Sequence, residues 1–160
     1  MLLRKHLMTL LFPFLIGFLS GLRSLAAPAV VAWAVHLGWI KLERPLSLIG
    51  TAPSVAIFTL LAVGELIADK LPKAPNRTSA LGLVARIVTG GLTGACVSAG
   101  MGQGAIQGAV LGAAGGVVGC FVGFYARTRL TKAIGTGGFF IALLEDVIAV
   151  GGCLWVVSRF

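Results

Sequence analysis

Glu145 and Asp146 stand side by side in an otherwise uncharged apolar run, residues 137–158, that is long enough to cross a bilayer. A carboxylate at the centre of a spanning helix costs about 2.5 to 3.5 kcal/mol, so it is expected to face a protein interior or a wet cavity and to have a partner. Neighbours on a helix point about 100° apart. One acid should therefore face the centre of the bundle and the other a second helix or a basic connection, with Arg127, Arg129 or Arg86 in reach. Glu65 and Asp69 are four apart and share one helical face. Asp69 and Lys70 read as anchors at a helix end, with Glu65 about 6 Å deeper. Arg86 is the expected countercharge of Glu65, because it enters the following helix from the same side, and Thr89 and Thr93 extend its polar stripe. Arg23 and Arg127 stand as supporting cations. Such a set can pass an ion or a small solute, and a desolvated carboxylic acid can carry a proton.

Other chemistry is poorly represented. His6 and His36 lie far from the acids in sequence, and Cys96, Cys120 and Cys153 have no CxxC spacing and read as small buried hydrophobes. With no P-loop and no His-rich or Asp-rich ligand cluster, the expectation is no catalytic residue, no metal and no cofactor.

The elements that must position these groups are apolar helices. Of 160 residues, 58% are apolar, 11% charged and 23 are glycine, and the mean hydropathy is +1.00. Between residues 80 and 126 only Arg86 is charged, which leaves no water-facing side for a soluble fold. The net charge of +8 does not indicate nucleic acid, because the basic residues flank apolar segments as orienting signals do. The bilayer is the expected partner, together with an unknown small solute or ion and, through the glycines described below, a second copy of the chain.

Apolar stretches run over residues 7–22, 46–68, 80–100, 103–126 and 137–158. Residues 25–40 form a sixth stretch of 16 residues, about 24 Å as a helix, which is short for a hydrocarbon core of about 30 Å. The fold expected is all-α: one integral-membrane domain over residues 1–160, a polytopic bundle of about five transmembrane helices plus a short re-entrant or interfacial one. The basic start followed by an apolar stretch resembles a signal peptide, but Arg23 and Pro28 bracket the small residues 24–27, so it reads as an uncleaved first helix. Counting Lys and Arg in the connections puts the N-terminus in the cytoplasm and the C-terminus in the periplasm.

Gly104, Gly108, Gly112 and Gly116 recur every fourth residue, and Gly119 and Gly123 continue on a neighbouring face with Gly115. In lipid this spacing gives a stripe along which another helix can approach closely, within one monomer or between copies. The order Gly17, Gly21, Arg23 and then the Glu65 helix is echoed by Gly119, Gly123, Arg127 and then the Glu145 helix. With five crossings these pairs run in opposite directions, the mark of an inverted repeat around a midplane site.

The strings Gly21-Leu22-Arg23 with Ala27-Pro28, Gly64-Glu65-Leu66-Ile67-Ala68-Asp69-Lys70-Leu71-Pro72 with Pro75-Asn76-Arg77-Thr78, and Leu144-Glu145-Asp146 resemble a bacterial family of small integral-membrane proteins catalogued as domain of unknown function 4126. The resemblance covers nearly the whole chain. It implies a multi-pass protein of the bacterial inner membrane and supplies no activity. Three functions are compatible with the residues. The first is a transporter or channel-like protein with Glu65, Arg86, Glu145 and Asp146 around a central cavity. The second is a structural or assembly protein whose charges only staple helices. The third, for which the ligand set is weakest, is an intramembrane enzyme acting on lipid phosphates.

Overall fold

The computed structural model describes residues 2–69, 80–134 and 139–160, with side chains described from residue 7 onward except those of 133–139. Among them are six α-helices and no strand: α1 (Leu2–Leu22), α2 (Ala26–His36), α3 (Ala52–Ala68), α4 (Ala80–Gly100), α5 (Ala105–Ile134) and α6 (Phe139–Val157), with a short 3-10 helix, Leu46–Gly50, before α3. Three helical stretches are long and apolar enough to cross a membrane, Ala80–Gly100, Ala105–Lys132 and Phe140–Val157; Leu7–Leu22, Ala26–His36 and Ala52–Ala68 are shorter apolar helices.

Local signals account for the boundaries. Pro53 occupies the first turn of α3, where its missing N–H costs nothing. Gly102, at φ +71°, makes the turn between α4 and α5, and Gln103 N–H returns to the Ser98 carbonyl. α2 is only 11 residues, but the chain continues in a tight turn in which Trp39 and Ile40 donate to the Ala34 carbonyl. That turn brings Ile40, 1% exposed, against Gly100 and the side of Phe160. Ile16, Val31, Ile40, Val97, Val156 and Val157 are all buried in one apolar core shared by α1, α2, α4 and α6.

The return of α2 changes the topology expected from charge. Met8, Thr9 and Phe12 of α1 line one cleft with Met101, Gln103, Arg159 and Phe160, and Phe12 meets Trp155 edge-on at 6.0 Å. Both ends of the described chain therefore share one end of the bundle. Arg23, Asp69, Arg127 and Glu145 gather at the opposite end. Residues 25–40 form a returning arm, and five crossings with termini on opposite faces do not fit this path. The Lys and Arg count loses its contrast for the same reason, since the basic start of the chain no longer adds to the side of Arg127.

α5 lies backbone to backbone against two helices. A Cβ added at Gly112 would stand 2.1 Å from the Gly90 carbonyl oxygen, and one added at Gly17 would stand 2.1 Å from the Gly112 carbonyl oxygen. Real Cβ atoms do not approach oxygen so closely. Gly108 and Gly116 face α4 at Gly94 and Arg86, and Gly119 faces α1 at Phe18. Gly123 meets the Leu22 side chain and Glu145 Oε1, whereas Gly104 precedes α5 and a Cβ there would meet nothing within 4 Å. The order of contacts fixes direction. Gly17 with Gly112 and Gly21 with Gly116 ascend together, so α1 and α5 are parallel; Gly90 with Gly112 and Gly94 with Gly108 run oppositely, so α4 and α5 are antiparallel. The inverted-repeat expectation required α1 and α5 to point in opposite directions, and they do not.

Candidate functional site

Residues 21–25, where α1 breaks into α2, are the point on which most of the buried charges converge. Arg23 is 0% exposed. Its guanidinium is ion-paired through Nη1 to Asp69 Oδ2 at the end of α3 and through Nη2 to Asp146 Oδ1 of α6. One cation thus ties three separate parts of the chain, and the Asp69 side chain, 15% exposed, forms the more open side of the cluster. Burying an ion pair is tolerable only when charge is matched and hydrogen bonds complete it, and removal of one partner leaves an uncompensated charge.

Glu65 does not meet Arg86. Its Oε1 accepts from the Ser24 backbone N–H at 2.9 Å and from the Ser24 hydroxyl at 2.6 Å, and its Oε2 accepts from the Leu25 N–H at 2.9 Å. These residues open α2. The first N–H groups of a helix have no intrahelical acceptor, and the positive end of the helix dipole favours an anion there. Glu65 is thus a cap supplied from another helix. The four-residue spacing of Glu65 and Asp69 still matters, because it lets one face of α3 reach both Ser24 and Arg23. Asp69 is correspondingly a partner of Arg23, where an interfacial anchor was expected; Lys70 lies outside the described residues. Glu65→Ala is expected to lower stability by about 1 to 3 kcal/mol, the cost of stranding buried donors. Glu65→Gln, which keeps one carbonyl acceptor, should lose less. Thermal unfolding of the two variants in detergent checks the order.

Arg86, 6% exposed, donates from Nε to the Gly21 carbonyl and from Nη1 to the Gly82 carbonyl, both at 2.9 Å. It grips the joint by its backbone. One turn further along α4, Thr89 Oγ1 lies 2.8 Å from Ser20 Oγ, a hydroxyl pair between α4 and α1. Thr93 is buried and turned back on its own helix, donating to the Thr89 carbonyl at 2.9 Å. Glu145 and Asp146 divide as adjacent helical residues must. Asp146 faces Arg23, while Glu145 Oε2 lies 3.9 Å from Nη1 of Arg127 on α5.

Arg23, Asp69, Asp146, Glu65 and Arg86 therefore surround one five-residue segment, and Glu145 with Arg127 forms a flank. The central role of Arg23, together with the parts played by Ser20, Ser24 and Leu25, escaped the sequence reading, although a lone cation between two apolar stretches marked the place. No group of three or more His, Cys, Asp or Glu side chains among the described residues is arranged to hold a metal ion.

The fold and the site define an all-helical protein with three helical stretches long and apolar enough to cross a membrane and a buried charge cluster at a helix break. The chain belongs to the family described as domain of unknown function DUF4126, whose model matches residues 10–158. No curated protein and no solved structure matches it.

Proposed function

We propose that this is a multi-pass protein of the bacterial cytoplasmic membrane that moves a small ion or solute, with the Arg23–Asp69–Asp146 cluster as its central element. The observation that carries the reading is a fully buried arginine, bracketed by carboxylates from two helices, at the break between α1 and α2. Intramembrane charges of this kind accompany ion and proton pathways, and interrupted helices supply backbone groups at transport sites. The small-residue stripes of α5 belong to the same reading, as the surfaces on which α1 and α4 seat.

A second reading, a protein whose charges only staple helices, is favoured by Glu65, whose carboxylate is engaged with the start of α2. Proteoliposomes on a solid-supported membrane separate the two. Rapid exchange of inorganic cations, anions and small amphipathic solutes, at several pH values, is expected to give a transient current for at least one class. The current should vanish in Asp146→Asn protein that elutes as a single species. Silence across the whole panel from folded wild-type protein rejects transport.

A further inference from the structure

We propose that the groove between α1, α5 and α6 holds one anionic phospholipid, with an acyl chain in the groove and its phosphate on Arg127. The groove, about 160 Å³, is lined by Phe18 and Leu22 of α1, by Val122 and Leu130 of α5 and by Ile141 and Ile148 of α6, with Arg127 and Glu145 as its charged members. A space so apolar does not suit a polar solute. It lies between helices whose length and composition fit a membrane, where the medium that fills an apolar groove is hydrocarbon.

Charge selects the lipid. Arg127 is the cation of the groove and is 27% exposed in its side chain. Its one ion pair among the described residues, to Glu145, is 3.9 Å long, beyond hydrogen-bond distance, so the guanidinium keeps its donors for a further anion. A guanidinium can grip a phosphate through two parallel hydrogen bonds. α5 is also long enough to place this group at headgroup depth. Its 30 residues rise about 45 Å against a hydrocarbon core of about 30 Å. Arg129 and Lys132, both exposed, continue along the same helix end and add to the attraction for an anionic leaflet. Gly123, one turn before Arg127, contributes space, since a Cβ there would press on Leu22 and Glu145.

The test is native mass spectrometry of the full-length protein, delipidated in detergent and then given phosphatidylglycerol or phosphatidylcholine with identical acyl chains. One phosphatidylglycerol should be retained per chain, about tenfold more tightly than phosphatidylcholine, whose choline cation offsets the phosphate charge beside Arg127, Arg129 and Lys132. Arg127→Gln should erase the preference, Arg127→Lys should keep part of it, and Arg129→Gln should keep most. A single symmetric elution peak certifies that each variant is folded. Equal retention of the two lipids by wild type, or an undiminished preference in Arg127→Gln, overturns the assignment.

Discussion

Arg23→Gln is expected to lower the stability of the protein by about 3 to 5 kcal/mol, because it removes the buried cation that two carboxylates share. Asp69 at the end of α3 and Asp146 of α6 would both lose the guanidinium that ties them to residues 21–25. The loss should be strongly non-additive. In Arg23→Gln/Asp69→Asn/Asp146→Asn the buried charges are gone, and replacing a whole buried ion cluster by neutral groups is often close to neutral in stability. The triple variant is therefore expected to recover most of what the single one loses, which unfolding in a graded detergent series can read. If the single variant unfolds like wild type, Arg23 does not hold the acids. The same protein also tests the proposed function. A pure staple needs only the recovered fold, whereas a transporter that works through this cluster stays silent when the fold has been restored without the charges.

Most of the helices were legible in the sequence as apolar runs ended by proline, glycine or charge, but α5 continues to Ile134 through Arg127, Arg129 and Lys132, which read as a connection. The division of Glu145 and Asp146 was legible as well, since adjacent helical residues cannot face the same way. Their partners were less so. Helical spacing says which residues share a face and is silent on which neighbour that face meets. Glu65 illustrates the limit, because its partners are two backbone N–H groups and one hydroxyl at the start of α2, and a backbone donor leaves no mark in composition. Arg86 likewise spends two of its donors on carbonyls of Gly21 and Gly82. Direction was hidden for a related reason. A four-residue glycine spacing fits a parallel or an antiparallel neighbour equally well, and α5 uses both, with α1 parallel and α4 antiparallel. The 16-residue stretch 25–40 was too short to read as a full crossing, and the tight turn at Trp39 and Ile40 carries the chain beyond the 11-residue α2 to Gly100.

Gly112→Ala is expected to be among the most damaging single methyls in the described part of the chain. The new Cβ would stand 2.1 Å from the Gly90 carbonyl oxygen and 2.9 Å from Gly94 Cα, and both obstacles are backbone. No rotamer change relieves such a contact, so α4 must move away from α5. Overpacking of a tight core costs about 1 to 3 kcal/mol and occasionally more. The upper end applies here, because displacing α4 also shifts Arg86 and Thr89, which hold α4 to α1 at Gly21 and Ser20. Gly112→Leu should leave no folded protein. Gly104→Ala is the matched control: it belongs to the same four-residue series, yet a Cβ there would meet open space, so its unfolding midpoint should stay at the wild-type value. Equal losses at the two positions would mean that the close approach of α4 to α5 does not set the cost. A large loss confined to Gly112 ties it to the approach of three helices, and from there to the geometry that sets Arg86 against the joint that Arg23 occupies.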